Sequence, residues 1–211
     1  FKKQNPDKFG PNDYATYARV LLKFPGNDST AGIYVDKAVA LDTLEANKTD
    51  YILGMANSYI AQKNYAQAGN WYTKLLGVKK DFGKVDLYNA GYNNYKGSDY
   101  KKGDSVFSVY TTKYPDDILG WYMRAIINAT VDSTGKDALA KPYYDKVIEI
   151  GEASTGSAKV KQQLITSYRY NVAYFYTNKN DIPTALSYVD KTLKIDPANE
   201  AALTNKKALE G

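Results

Sequence analysis

The sequence predicts an all-α protein made of repeated pairs of amphipathic helices. The clearest pair lies in residues 166–197, where a tight turn separates two helical patterns. One face of the first helix recurs at the three- and four-residue spacing of an α-helix: Arg169, Val172, Ala173 and Tyr176. Asp181 is a suitable N-cap for the second helix, which has Pro183 in its first turn and ends before Pro197. Related patterns recur upstream, and no stretch predicts a strand.

A small residue marks the place where the two helices of each pair are predicted to cross closely. In the clearest pair these residues are Ala173 and Ala185, and the upstream second helices carry Ala68, Gly103 and Ala140. Ala68 and Gly103 are 35 positions apart, Gly103 and Ala140 are 37 apart, and Ala140 and Ala185 are 45 apart. The near-constant spacing predicts a repeat, and the longest interval predicts an inserted segment.

Three local features set the expected ends of these helices. The inserted segment is predicted at 151–161, as a loop followed by an N-terminal extension of the next helix. Pro142 cannot lie deep in a helix, so its helix is expected to begin near Leu139 to Lys141. Before Asp13, the chain predicts an irregular lead-in, because it carries Pro6, Gly10 and Pro11.

This order of bulky, small and aromatic residues resembles the tetratricopeptide repeat, whose unit is about 34 residues. The resemblance covers five units with a polar-faced capping helix after them: 13–46, 49–82, 84–117, 118–154 and 160–198, then 199–211. It implies a right-handed α-solenoid that forms one domain over 1–211. Trp121 stands at the family's preferred bulky position. Asn94 stands where the family prefers an aromatic residue, so its helix is expected to be less well anchored.

The composition excludes several kinds of chemistry. The 211 residues include no cysteine and no histidine, which excludes disulfides, thiolate nucleophiles, imidazole bases and metal sites built from these residues. No apolar run approaches the length of a membrane span. The chain begins at Phe1, so we expect a mature or truncated piece. The segment around 132–144 is similar to tetratricopeptide proteins of Bacteroidetes-type bacteria, which tend to be exported, so a periplasmic or cell-envelope location is expected.

Tyrosine is the residue through which a function is predicted, since the chain has 21 Tyr against 6 Phe and 2 Trp. In the resembled family, groove-facing positions lie three before, one after and four after the small residue of each first helix. The candidate partner-binding residues at these positions are Asn57, Tyr88, Tyr92, Tyr95, Tyr122, Tyr170 and Tyr174. The prediction is a non-catalytic module that binds a peptide or a partner protein in a tyrosine-lined concave groove.

Two alternatives stay open at this point. The tyrosines could only cover an apolar inner face, in a scaffold that is part of a larger exported protein, or they could line a carbohydrate-binding groove. The carboxylate clamp of chaperone-tail receptors is not favoured. Asn57 and Asn89 stand near its two asparagine positions, but Leu53, Leu119 and Met123 occupy the places of its lysine and arginine residues.

Catalysis and nucleic-acid binding are not favoured either. Without His or Cys, acid–base work would need Asp, Glu, Lys or Tyr, and no convergent carboxylate pair is visible at helical spacing. Asp116-Asp117 is typical of a turn, so no metal site and no cofactor are predicted. The net charge of +5 comes from dispersed lysines rather than from a basic patch. The sequence leaves the oligomeric state open.

Overall fold

A computed structural model describes residues 8–154 and 156–211 of the chain. The described residues form helices and no strand, which confirms the all-α prediction. The helices are α1 (Pro11–Leu21), α2 (Asp28–Leu41), α3 (Glu45–Ala61), α4 (Tyr65–Val78), α5 (Lys84–Lys96), α6 (Tyr100–Lys113), α7 (Ile118–Val131), α8 (Lys141–Glu152), α9 (Ala158–Thr177), α10 (Ile182–Ile195) and α11 (Glu200–Glu210).

The helices group into two compact units, Phe1–Val106 and Phe107–Gly211, whose boundary falls inside α6. In the first unit, α1 packs on α2, α2 on α3, α3 on α4 and α4 on α5. In the second unit, α7 packs on α8, α8 on α9, α9 on α10 and α10 on α11. Within each unit these helices therefore pack mainly on their neighbours in sequence, as a helical repeat requires. The five unit boundaries and the single domain over 1–211 stay predictions.

The core of the first unit depends on close helix approach at a predicted small residue and its neighbour. Ala68 is fully buried on α4, and Gly69 lies so close to α5 that an added Cβ would stand 2.7 Å from the backbone nitrogen of Asn94. The expectation that Asn94 anchors its helix poorly is wrong. Its buried amide donates to the carbonyl of Ala90 at 2.8 Å and to Thr73 Oγ1 at 2.9 Å. The hydrogen bond to Thr73 therefore links α5 to α4 at the position where the family prefers an aromatic ring.

In the second unit, the small residues of α8 and α10 are buried as predicted. Ala140 packs with Ala125 and Tyr144, and Ala185 packs with Val189 and Ala202. Helix α8 begins at Lys141 with Pro142 in its first turn, which confirms the predicted start. A proline in the first turn costs no helical hydrogen bond, so α8 can begin immediately before Pro142.

The predicted irregular lead-in is confirmed at Phe9 and Gly10 but is wrong at Pro11 and Asn12, which are already helical. Helix α1 begins at Pro11, because a proline at the first helical position loses no hydrogen bond and already has a helical φ. Asp13 then accepts a hydrogen bond from the backbone nitrogen of Gly10 at 2.9 Å, which fixes the helix start. Pro6 lies outside the described residues.

The loop predicted at 151–161 is shorter than expected, whereas the predicted extension of α9 is present. Helix α8 runs on to Glu152, since Gly151 is buried against Leu164 of α9, with room for no Cβ there. Ser157 caps α9 by accepting a hydrogen bond from the backbone nitrogen of Val160. Between them stand 153–157, of which Thr155 lies outside the described residues.

The predicted close crossing at Ala173 is also wrong. Ala173 is exposed and Tyr176 is 51% exposed, although Ala185 is fully buried. The buried stripe of α9 consists instead of Gln163, Leu164, Ser167, Tyr168, Asn171 and Val172. Because the buried stripe ends at Val172, the part of α9 that carries Ala173 and Tyr176 stays exposed on the side that faces α11.

Candidate interaction surface

Two groups of tyrosines matter for the site, and in the first the hydroxyl is engaged inside the fold. Tyr51 donates to Asp42 at 2.8 Å, Tyr110 to Asp117 at 3.0 Å and Tyr168 to Glu152 at 2.7 Å. All three rings are buried. Burial and the hydrogen bond to Asp42 raise the pKa of Tyr51 to about 12, and burial raises the pKa of Tyr110 and Tyr168 as well. These tyrosines are structural.

The second group is half-buried, and its clearest members lie in a row on α5. The rings of Tyr88 and Tyr92 are stacked with centroids 5.3 Å apart and an interplanar angle of 11°. Tyr95 follows at 6.5 Å from Tyr92, and Tyr100, at the start of α6, follows at 6.0 Å from Tyr95. Burial raises the pKa of Tyr88. Three of the predicted site residues therefore form one continuous aromatic row.

The row lies beside the buried stripe of α5 and not within it. The buried residues of that helix are Leu87, Ala90, Gly91, Asn93 and Asn94. The tyrosines at 88, 92 and 95 recur at the same helical spacing along the adjoining face. Each of these side chains is therefore half-buried.

Asn57, the remaining candidate of the first unit, is exposed on α3. Its Oδ1 accepts a hydrogen bond of 3.1 Å from the hydroxyl of Tyr72 on α4, and Tyr72 itself is buried. The side chain is thus oriented by the α3–α4 contact. Its carbonyl oxygen is engaged within the fold.

In the second unit, Tyr122 and Tyr170 contact the same apolar cluster. Both pack on the buried residues Ala125, Ala140 and Tyr144, and the ring centroid of Tyr170 lies 4.6 Å from that of Tyr144. Burial raises the pKa of Tyr170. These two rings therefore bridge α7, α8 and α9, while each stays half-buried.

Tyr174 lies one turn beyond Tyr170 on α9 and has a different environment. The amines of Lys141 and Lys179 stand 5.2 Å and 5.6 Å from its ring centroid, and Phe175 contacts its edge. Both amines are within the distance at which a cation is attracted to the π-electrons of an aromatic ring. Tyr174 is thus half-buried in a basic setting.

Sequence reasoning missed one aromatic pair near this cluster. Arg124 donates from Nη2 to the hydroxyl of Tyr143 at 2.9 Å, and its guanidinium carbon lies 4.3 Å from the Tyr143 ring centroid. The tyrosine pair at 143–144 was a visible signal. Only Tyr144 falls at the helical spacing of the apolar residues, however, so periodicity alone selects Tyr144 and not Tyr143.

The described residues contain no group of three or more His, Cys, Asp or Glu side chains that could hold a metal ion. Within the same part of the chain, no helix is both long and apolar enough to cross a membrane.

Helix pairs packed in sequence order, with small residues at their crossings, define a protein of the helical-repeat solenoid class. A solved structure similar to this chain is the C-terminal part of a TPR repeat-containing protein from Cytophaga hutchinsonii. It is 30% identical, with a TM-score of 0.67, and the match covers 97% of this chain and 76% of that one. The chain therefore belongs to the tetratricopeptide repeat family, as the resemblance implied.

Two further structures share the fold. YrrB, described as a TPR protein with an unusual peptide-binding site, is 21% identical with a TM-score of 0.54, over 92% of this chain and 91% of that one. A tetratricopeptide repeat protein from Parabacteroides merdae is 11% identical with a TM-score of 0.53, over 94% and 72%. The predicted likeness to repeat proteins of Bacteroidetes-type bacteria is confirmed. No family model matches the sequence, and no curated protein matches it.

Membership of this family supports a protein–protein interaction module in general. Folds of this type are generally non-catalytic. Concave surfaces built from stacked repeats are the usual contact regions of such proteins.

Proposed function

We propose that this chain is a non-catalytic interaction module that binds an extended peptide, or an extended segment of a partner protein, through half-buried tyrosines. Tyr88, Tyr92 and Tyr95, with Asn57, form the contact panel of the first unit. Tyr122, Tyr170 and Tyr174 form that of the second. The observation that carries the proposal is the continuous aromatic row on α5.

Hydrogen bonding supports a role beyond packing for these tyrosines. The buried tyrosines 51, 110 and 168 each direct the hydroxyl to a carboxylate of the fold. Among the described residues, the hydroxyls of Tyr92, Tyr95, Tyr122 and Tyr174 have no such hydrogen bond. A half-buried ring with an unengaged hydroxyl offers contact area at low entropic cost and one hydrogen bond to a peptide carbonyl.

The spacing of the row also fits an extended ligand. Successive centroids on α5 are 5.3 Å and 6.5 Å apart. Alternate side chains of an extended peptide point to the same side and lie about 6.6 Å apart. Consecutive rings can therefore contact every second side chain of a bound segment.

The test is capture of partners from a lysate of the source organism by the full 211-residue chain. Tyr92→Ala combined with Tyr122→Ala should remove captured partners while circular dichroism keeps the wild-type helical spectrum. Because both rings are half-buried, some fall in melting temperature is expected, and capture is measured well below it. Tyr92→Phe should keep most of the binding, because it retains the ring. Tyr14→Ala is the matched control, since Tyr14 is also half-buried but lies outside both panels. Capture that is unchanged in the double variant would contradict the proposal and favour a scaffold role.

A further inference from the structure

The second unit contains an open pocket between α9 and α11 that the tyrosine panels do not use. Its volume is about 280 Å³. We call it the α9–α11 pocket, and it is lined by Arg169, Val172, Ala173, Tyr176, Thr177, Asn205, Ala208 and Leu209. Most of its lining surface is apolar.

The pocket exists because a seam of the repeat is left uncovered here. In α3, the small residue Ala56 is fully buried and Tyr59, three positions later, is 6% exposed. In α5, Gly91 and Asn94 at the same spacing are also buried. In α9, by contrast, Ala173 is exposed and Tyr176 is 51% exposed.

Helix α11 leaves this seam open because it packs elsewhere. Ala202 of α11 joins the buried cluster of Val172, Ala185 and Val189, and Leu209 packs against the same cluster. The contact anchors α11 over α10 and beside Val172. The side of α9 that carries Ala173 and Tyr176 thereby becomes one wall of a cleft.

The charge at the pocket is unbalanced. None of its eight lining residues is acidic. Arg169 is exposed on α9 and has no hydrogen bond or ion pair among the described residues. Two other basic residues of the unit are paired, Lys191 with Glu152 at 2.9 Å and Lys206 with Asp190 at 2.8 Å, whereas Lys207 on α11, like Arg169, has no ion pair among the described residues. An apolar cleft beside one uncompensated guanidinium is complementary to an apolar group that adjoins a carboxylate.

We propose that the α9–α11 pocket binds an apolar side chain of an acidic, extended peptide segment, with an adjacent glutamate or aspartate paired to Arg169. The proposal rests on the proposed function in that the partner is a peptide, and it names the chemistry of that peptide. At about 280 Å³ the pocket is just smaller than small-ligand sites, which run from about 300 to 1,000 Å³, and this size suits one side chain.

The probe is a synthetic heptapeptide, Gly-Ser-Glu-Leu-Glu-Ser-Gly, acetylated, amidated and labelled with fluorescein. Fluorescence anisotropy with the full chain should show saturable binding. Replacing leucine by alanine, or both glutamates by glutamine, should weaken binding about tenfold, the effect of one lost contact of this kind. Arg169→Gln should weaken binding of the parent peptide to the same extent and should have little further effect on the glutamine peptide.

Two protein variants separate pocket filling from charge. Ala173→Leu should block binding by occupying the cleft, and because Ala173 is exposed the variant should fold as wild type does. Lys161→Gln is the matched control, since it removes one exposed positive charge from the same helix outside the pocket. The proposal is overturned by absent binding, by equal losses with Lys161→Gln and Arg169→Gln, or by unchanged affinity in Ala173→Leu.

The same variants distinguish this inference from the proposed function. Capture of partners that is lost on changing Tyr92 and Tyr122 but unaffected by Arg169→Gln and Ala173→Leu would leave the module standing and overturn the role of the pocket. Capture that is lost in either pocket variant, together with binding of the heptapeptide, would support both.

Discussion

The hydroxyl of Tyr110 on α6 donates a hydrogen bond to Oδ2 of Asp117 at 3.0 Å, and Oδ1 of the same carboxylate accepts from the backbone nitrogen of Leu119 at 3.1 Å. Asp117 therefore caps α7 and satisfies a buried tyrosine at once. Asp42 has a related place in the first unit: it follows α2 and accepts from the backbone nitrogen of Leu44, the residue before α3, and from the buried Tyr51. In both cases a carboxylate in the loop between two helices accepts one hydrogen bond from the loop or helix backbone and one from a buried tyrosine of an adjoining helix.

Replacing Asp117 with alanine should destabilise the protein by about 2 kcal/mol, because it removes an N-cap and leaves the buried hydroxyl of Tyr110 without this acceptor. Urea unfolding followed by circular dichroism measures the loss. Asp116→Ala is the matched control, as Asp116 is exposed and adjacent, and it should change stability by less than about 0.5 kcal/mol. Equal effects of the two changes would show that the dual role of Asp117 contributes nothing.

Gly69→Ala should destabilise by about 1–3 kcal/mol, because the new methyl group would stand 2.7 Å from the backbone nitrogen of Asn94 and force α4 and α5 apart. Thermal unfolding of the variant tests this expectation. Gly54, inside α3, is exposed and has nothing within 4 Å of an added Cβ. Gly54→Ala should therefore stabilise by about 0.5–1 kcal/mol through helix propensity alone. If both changes had the same sign, close helix approach at Gly69 would be refuted.

Ala138→Gly should raise stability by about 0.5–1 kcal/mol, because Ala138 has a φ of +54° in the turn before α8 and an alanine is strained there. The strain free energy that glycine relieves in the folded state is larger than the free-energy cost of the conformational entropy that glycine adds to the unfolded chain. Ala153→Gly, where φ is −75°, has no strain to relieve and should lower stability. Chemical denaturation of both variants gives the comparison, and a loss of stability in Ala138→Gly would contradict the argument.

The Asp42–Tyr51 pair should make stability depend on pH at both extremes. The hydrogen bond from the backbone nitrogen of Leu44, assisted by Tyr51, lowers the pKa of Asp42, so its contribution is present above the unfolded value of about 3.9 and is lost as pH falls below it. The pKa of Tyr51 is raised to about 12, so its contribution is complete below the unfolded value of about 10 and is lost between these two values.

Melting temperatures measured from pH 2 to pH 12 test both limbs. Tyr51→Phe should make the alkaline limb less steep and reduce the acid one, because the donor to Asp42 is removed as well. The raised pKa values of Tyr110 and Tyr168 keep the rest of the alkaline limb in the variant. Tyr14→Phe, which changes a half-buried tyrosine that has no carboxylate partner among the described residues, should alter neither limb. Identical profiles for wild type and Tyr51→Phe would contradict the assignment.

Helical periodicity and spaced small residues were sufficient to predict the class of fold, because each repeat buries its apolar stripe against its sequence neighbours. Ala68, Ala140 and Ala185 are all buried at the predicted crossings. The same reasoning failed at Ala173 and at Asn94. Ala173 keeps the sequence pattern but no helix covers it, and Asn94 breaks the pattern yet is held by hydrogen bonds to Ala90 and Thr73. A pattern reports which residue types recur, and it does not report whether a neighbour is present to bury them.

The candidate site could be predicted in part for the same reason. The spacing of 88, 92 and 95 on one helix placed three tyrosines on a common face, and the structure shows their rings in a row. That Tyr170 rests on Tyr144, and that Tyr143 is held by Arg124, depends on which helices meet side by side. No local pattern contains that information.

By itself, then, the sequence determined the helices, their pairing and the tyrosine-rich faces, since these follow from periodicity, capping and the sizes of residues close together along the chain. The tertiary structure decided which tyrosine hydroxyls are engaged by carboxylates and which are not. It also decided that the side of α9 with Ala173 and Tyr176 lines the α9–α11 pocket. Both depend on side chains far apart in sequence, whose positions are fixed only when the helices pack.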